Sequence, residues 1–184
     1  EIIDSKISSQ VIYPEEENLL ARYDLRLITG CNTFIDSKII NTTLLSNNCY
    51  LEDAINLVRV EGNKLNLIIN NAKFDGFDAD YSRINFNTIQ IKNSGNDCID
   101  ISSGIYNFNN NFLKNCGDKA VSVGEKSISS FIDLNIENAN IGIAVKDLSV
   151  ASIVNFTGNN LKECMSAYRK KQEFNYGTIY FKNT

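Results

Sequence analysis

The chain has 184 residues, 43% of them hydrophobic, and a formal net charge of −4. That length allows one domain with a substantial core. The acidic balance argues against nucleic acid or an anionic membrane as partner, and no apolar run approaches the ~18 residues of a membrane span. Asn occurs 27 times and Ile 24 times, against one Pro and one Met. Ile is β-branched and fits a pleated, buried surface. Asn tolerates left-handed backbone and bonds locally at turns. The composition therefore predicts an all-β chain of short Ile-rich strands separated by Asn-rich turns.

Residues 1–50 are the least regular part and read as N-terminal turns with a cap. The chain opens at Glu1 rather than Met and shows no secretory signal, so it reads as an excised or processed domain. The remainder of a larger parent chain is then one expected partner. "IIDSKISSQ" and "FIDSKIINTTLLSNN" each look like one early turn. "YPEEENLLARYD" between them has no strand alternation and reads as a loop or short helix covering the open end of a solenoid.

Residues 51–184 read as regular turns of one continuous domain. "DAINLV" starts at Asp53, "DGFDAD" at Asp75, "DCIDIS" at Asp97, "KAVSVG" at Lys119, "IGIAVK" at Ile141 and "MSAYRK" at Met165. The starts are 22, 22, 22, 22 and 24 residues apart, and such a period signals stacked turns. The third and fifth positions are Ile55/Leu57, Phe77/Ala79, Ile99/Ile101, Val121/Val123, Ile143/Val145 and Ala167/Arg169. Residues two apart share one face of a strand, so these point inward. The fourth position, Asn56, Asp78, Asp100, Ser122, Ala144 and Tyr168, points outward. Arg169 breaks the rule, so the register changes there or the coil is ending. A second column holds Cys49, Asn71, Asn93, Asn115 and Asn138, whose amides can bond along the stack. This pattern predicts a single right-handed parallel β-helix of about 22 residues per turn. A leucine-rich-repeat horseshoe needs L-x-L-x-x-N and a Leu-dominated row. Here Ile89-x-Ile91-x-Asn93 has the wrong offset.

The five cysteines are Cys31, Cys49, Cys98, Cys116 and Cys164. None forms a CxxC pair, and an odd count leaves at least one thiol free. Cys98 and Cys116 fall in different columns, which disfavours a disulfide between them. With no His in the chain, a zinc site has few ligands and a Ser-His-Asp or Cys-His nucleophile cannot be assembled.

The outward charges change sign along the stack. Early turns carry Asp75, Asp78, Asp80, Asp97 and Asp100; later ones carry Lys119, Glu125, Lys126, Lys146, Asp147, Lys170 and Lys171. Clustered carboxylates need a cation, a lysine or a retained proton. Three readings compete. In the first, Asp78, Asp80 and Asp100 hold Ca²⁺, an anionic sugar bridges that ion to Lys119 and Lys146, and a deprotonated lysine abstracts a proton as a lyase requires. In the second, Asp78, Asp97 and Asp100 act as acid and base in glycoside hydrolysis, although carboxyls stacked side by side suit that geometry poorly. In the third, the charges form a surface ladder that keeps a structural spacer or interaction module soluble. "YRKKQEF" from Tyr168 is a basic patch that stacks on a sugar or caps the solenoid end.

"NDCIDISSG", followed by "GDKAVSVGE" and "IGIAVKD", resembles the right-handed parallel β-helix superfamily that includes pectate lyases and polygalacturonases. It resembles more closely bacterial β-helix repeat proteins of the carbohydrate-binding and sugar-hydrolase type, over roughly residues 50–184. Polygalacturonase-type hydrolases carry D-D-C, G-H-G and R-I-K blocks on successive turns. Here those places hold Asn96-Asp97-Cys98, Asp118-Lys119-Ala120 and Ala144-Val145-Lys146. Asp97 and Lys146 match, whereas Asn96, Lys119 and Ala144 replace an Asp, a His and an Arg, and no upstream N-T-D block is present. The resemblance implies fold and a polysaccharide partner, and disfavours hydrolysis by that route. The expected function is polysaccharide binding on the outward face of the first sheet, in an extracellular or cell-surface protein. Asp100, Glu125, Tyr168 and Lys170 form the expected binding set. An active lyase or epimerase would use Lys119, Lys146 and Asp97, with Ca²⁺ at Asp78, Asp80 and Asp100.

Overall fold

The computed structural model describes residues 1–10 and 30–182. The cap expected over "YPEEENLLARYD" lies outside the described residues. Among those described there are fifteen strands, no helix, and only parallel strand pairs. The chain winds as a parallel β-solenoid of about six turns, with about 22 residues per turn. The early turns read from "IIDSKISSQ" and "FIDSKIINTTLLSNN" are present: Ile2 pairs with Ile39, Lys6 with Thr43, and Thr43 with Asn66.

Each turn has three strand segments. In the turn that begins at Cys98, Ile99–Ser102 forms the first face. Ile105–Cys116 then supplies the second and third, bending after Phe108, where the pairing register is interrupted. The expected inward pairs are buried in every interior turn. Ile55, Phe77, Ile99, Val121 and Ile143 stack in one column and Leu57, Ala79, Ile101, Val123 and Val145 in the next, all with no solvent exposure.

The second face adds a column of rings. Phe86, Phe108 and Phe131 stand on successive turns, with ring centroids 5.3 and 4.6 Å apart and planes within 5° of parallel. Equal register forces equal placement, so identical side chains stack at about the inter-strand distance. Such ring pairs contribute about 0.5–1.5 kcal/mol each beyond area burial. Beside them Tyr106 is buried, its hydroxyl 2.8 Å from Ala79 O and 2.9 Å from Ser102 O. Gly104 makes room for it: a Cβ there would stand 2.3 Å from Ser82 O and 2.5 Å from the phenol ring.

The corner after the third face is built from asparagine. Asn71 Nδ2 donates to Asn48 Oδ1, and the chain of bonds continues through Asn93, Asn115, Asn138 and Asn160 at 2.7–2.9 Å. All six have left-handed backbone, φ 53–62°, and none of the described glycines has positive φ. Asn is the residue with a side chain that best tolerates this conformation. The first rung is Asn48, not the expected Cys49, because Cys49 pairs with Ala72 one position further on.

Two expectations are corrected here. Cys98 is bonded to Cys116, and Cys31 to Cys49, each across 18 residues with Cα atoms 5.4 and 6.0 Å apart. Cys98 begins its turn and Cys116 ends it. A coil returns to its starting corner, so positions in different columns meet there. Each bond closes one turn, worth about 3 kcal/mol in chain entropy. Cys164 is left free and exposed, as an odd count requires. The last repeat also begins at Glu163 rather than Met165, because Ile141 pairs with Glu163, Ile143 with Met165 and Val145 with Ala167. Ser166 therefore continues the outward column in place of Tyr168. Arg169 does not point inward but leaves the strand, exposed.

Asn93→Ala and Asn93→Gly lose the same ladder bonds, but only alanine is strained at φ 61°. The alanine variant is expected to be less stable than the glycine variant by about 1 kcal/mol in urea denaturation. Equal losses would show that this corner is not left-handed in solution.

Candidate functional site

The outward side of the first face carries two columns. Asn56, Asp78, Asp100, Ser122, Ala144 and Ser166 form one, and Val58, Asp80, Ser102 and Gly124 begin the other. Asp78 and Asp100 face each other on adjacent turns, as the repeat predicts. Lys146 and Tyr168 are cross-strand partners at the far end.

The strand-start edge is occupied by its own turns. Asp75 Oδ1 accepts hydrogen bonds from Asn96 Nδ2 at 2.7 Å and from the Asp97 N–H at 2.8 Å. Asp97 Oδ1 accepts the Lys119 N–H at 2.9 Å, with Lys119 Nζ 3.4 Å away. These carboxyls hold the corner of the turn above. Lys119 also pairs with Asp118. Burial would lower the Lys119 pKa, but the hydrogen bond to Asp118 and the charge of Asp97 outweigh it and hold the ammonium above its ordinary value. That shift favours the charged form of Lys119. Burial raises Asp97, opposed by the Lys119 N–H and charge.

The centre is different. Asp78, Asp80 and Asp100 accept no side-chain hydrogen bond among the described residues. Burial, and then the charges of Asp53, Asp80, Asp100 and Asp75, push Asp78 up to about 9. Burial likewise lifts Asp75 to about 7. Asp80 is raised by burial and by Glu125 and Asp100, against the pull of Lys171. Asp78 therefore keeps its proton at neutral pH.

Lys146 reaches into this cluster. It is 5% exposed, and its Nζ donates to Ser122 Oγ at 2.6 Å. Its stem lies over the preceding turn at Gly124, where a Cβ would stand 3.7 Å from Lys146 Cε. Burial lowers its pKa, while Asp100 pulls it back up. An ammonium has three N–H donors, and among the described residues only the bond to Ser122 is made.

One wall rises beside this face. Val150 pairs with Thr178, whereas Ile128 pairs with Val150, so the last turn is longer than the others. The additional residues form a strap over 169–177. Asp147 Oδ1 accepts the N–H groups of Lys170 and Lys171 at 2.8 and 2.9 Å. Lys171 forms an ion pair with Glu125, and Asn175 O accepts the Leu148 N–H at 3.0 Å. Lys126 lies over the Phe174 ring at 5.5 Å and Arg169 by the Tyr176 ring at 5.9 Å.

The structure thus brings Asp78, Asp80, Asp100, Glu125, Lys146 and half-buried Tyr168 to one face. It engages Asp97 and Lys119 in the corner at the edge, and leaves the Lys170 side chain exposed. Sequence reasoning missed Ser122 as the partner of Lys146, Asp147 as the anchor of the strap, and the Lys171–Glu125 pair. The lost alternation in "YRKKQEFNYG" was the one signal for the strap. Among the described residues no three His, Cys, Asp or Glu side chains are grouped to hold a metal ion. Comparison with protein-family models, curated proteins and solved structures finds no match.

The raised carboxyls set a pH dependence. Asp75 and Asp78 stay protonated in the folded chain where the unfolded chain, with pKa 3.8, has lost its protons. Their contribution is full below that value and is lost as pH rises towards about 7 and about 9 respectively. Asp78→Asn is expected to raise the urea midpoint at about pH 8 and to leave it unchanged at about pH 4. A midpoint unchanged at both would show that Asp78 ionises normally.

Proposed function

We propose that this chain is a carbohydrate-associated domain that binds polysaccharide across the outward side of its first face. The observation that carries this reading is the company Lys146 keeps. A buried ammonium with one hydrogen bond among the described residues stands near Asp100, on a face where three half-buried carboxyls accept no hydrogen bond from the described residues. Polar groups removed from water without partners are costly, and elsewhere this chain satisfies its corners through asparagine ladders. A hydroxyl-rich polymer supplies both the acceptors Lys146 needs and the donors the carboxylates need. Asp78, holding its proton, is itself a donor. The Tyr168 ring and the strap provide a wall for a sugar to pack against.

The resemblance of "NDCIDISSG" and "IGIAVKD" to pectate lyase-like and polygalacturonase-like repeats supports the same partner class. The replaced Asp, His and Arg of the hydrolase blocks favour binding over hydrolysis. Two disulfides suit an oxidising compartment, which supports an extracellular or cell-surface setting. A second reading, a lyase or epimerase, rests on the lowered pKa of Lys146, which is what a general base needs. It requires Ca²⁺ bridging Asp78, Asp80 and Asp100.

Calorimetric titration against acidic and neutral polysaccharides tests both. At least one polymer is expected to bind. Lys146→Met and Asp100→Asn should each weaken it about tenfold, the scale of one hydrogen bond to a charged group. Lys92→Ala, exposed on another face, should not. A thermal shift with Ca²⁺ that vanishes in Asp78→Asn would favour the lyase. Absence of any glycan or ion response would leave a structural spacer as the better account.

A further inference from the structure

Resting on the polysaccharide reading above, we propose that the polymer taken by the first face carries free primary amines, which Asp78, Asp80 and Asp100 hold as ammonium groups. One turn away, the protein shows how this face seats an ammonium. Lys146 is 5% exposed, and its Nζ donates to Ser122 Oγ at 2.6 Å. Ser122 is the member of the outward column that follows Asp78 and Asp100. An ammonium has three N–H donors, and this one makes a single hydrogen bond among the described residues. Its charge is coupled to Asp100. A buried ammonium thus occupies one rung of the column and looks along it towards the two before.

Those two rungs hold carboxyls, and no lysine of the described chain is seated on them. Lys119 is taken by Asp97 and Asp118, and Lys171 by Glu125. Clustered carboxyls need a cation, a lysine or a retained proton. At Asp78 the proton stands where the other two are missing: burial and the charges of Asp53, Asp80, Asp100 and Asp75 all act to keep it there. Asp78 and Asp100 are direct cross-strand partners, about 4.8 Å apart. One ammonium between them reaches both carboxyls. Asp80 lies two residues along the same strand, roughly 7 Å away, within reach of a second group on the same polymer.

Charge then selects among sugars. A uronate adds an anion beside carboxyls that already repel one another. A hydroxyl donates one hydrogen to one carboxyl and leaves the repulsion in place. An ammonium donates up to three and removes the repulsion, through charge-assisted bonds about twice as strong as neutral ones. An amine arriving neutral takes the Asp78 proton: an N–H bond forms, the O–H bond breaks, and ammonium and carboxylate remain paired. A lysine-rich peptide offers the same ammonium, but each lysine gives up rotamer freedom to place it. An amine fixed on a sugar ring does not, and the hydroxyls of that ring serve Lys146 as acceptors.

The test is calorimetric titration of the intact chain with a soluble glucosamine oligomer, its N-acetylated form and a galacturonate oligomer of equal length. The free-amine form should bind at least about tenfold more tightly than the N-acetylated one, the scale of one hydrogen bond to a charged group. The galacturonate should bind most weakly. Asp78→Asn and Asp100→Asn should each remove that preference, with urea midpoints recorded so that a folding loss is not read as a binding loss. Glu61→Gln, which removes one exposed negative charge at the start of the second face, should keep it. Tighter binding of the N-acetylated or galacturonate oligomer would overturn the amine assignment and leave the polysaccharide reading standing. No binding of these three or of any other polysaccharide would overturn both. A preference that falls equally in Glu61→Gln would mark unspecific attraction of a polycation to an acidic protein. A lysine oligomer bound as tightly as the glucosamine one would give the site to a peptide. Either result overturns the proposal.

Discussion

No single turn of this chain can bury its own apolar side chains, and only the turn above and the turn below complete a core. That constraint fixes the register, because a slip of one residue would carry every inward Ile and Phe to the outside. Register in turn fixes everything placed at a corner. The backbone must reverse at the same three places in each turn, so left-handed conformations recur in columns. At the corner after the third face the chain writes Asn, whose amide bonds to its counterpart on the neighbouring turn, whereas the left-handed column after the first face holds Asp36, Arg59, Tyr81, Ser103, Glu125 and Asp147. The aromatic stack of Phe86, Phe108 and Phe131 follows from the same repetition on the inside.

The outward columns obey that register too, with a different consequence. Stacking places like on like, so acidic positions on adjacent turns become a crowd of carboxyls about 4.8 Å apart. Repulsion and burial act in the same direction, and Asp78 answers by keeping a proton. One turn cannot relieve this alone. Lys146 lies back over the turn below at the place where Gly124 leaves space, with Nζ on Ser122 Oγ and its charge coupled to Asp100. The strap over 169–177 then closes one side, held by Asp147 and by the Lys171–Glu125 pair.

What the sequence discloses follows from what repeats. The inward columns, the 22-residue period and the Asp78–Asp100 adjacency are periodic, and they were legible. What closes a turn on itself was not. Cys98 and Cys116 looked incompatible because columns were compared along the stack, whereas a disulfide joins the start of a turn to its end. Asn48 was missed by one position for a similar reason, since the earlier turns are a residue longer: Asn48 and Asn71 are 23 apart, Asn71 and Asn93 are 22. In the last turn "MSAYRK" mimics the repeat two residues late, and only strand pairing reveals Glu163 as its start. The reach of Lys146 to Ser122 depends on a long side chain crossing turns, which no spacing in the sequence encodes.

The acidic residues themselves separate into two kinds, and the separation is physical. Asp75 and Asp97 stand at strand starts and accept the backbone N–H of the residue that follows one turn later. A carboxylate is useful there whatever the protein does, because it satisfies a buried donor. Asp78, Asp80 and Asp100 stand mid-strand or at the strand end, and their carboxyls accept no hydrogen bond from the described residues. Folding alone would favour a neutral or apolar residue at those places, as the column itself shows in Ser122 and Ala144. Keeping three carboxyls beside a buried lysine therefore costs stability without structural return. That imbalance is the ground for proposing the binding face at the centre of the columns and not along their edge.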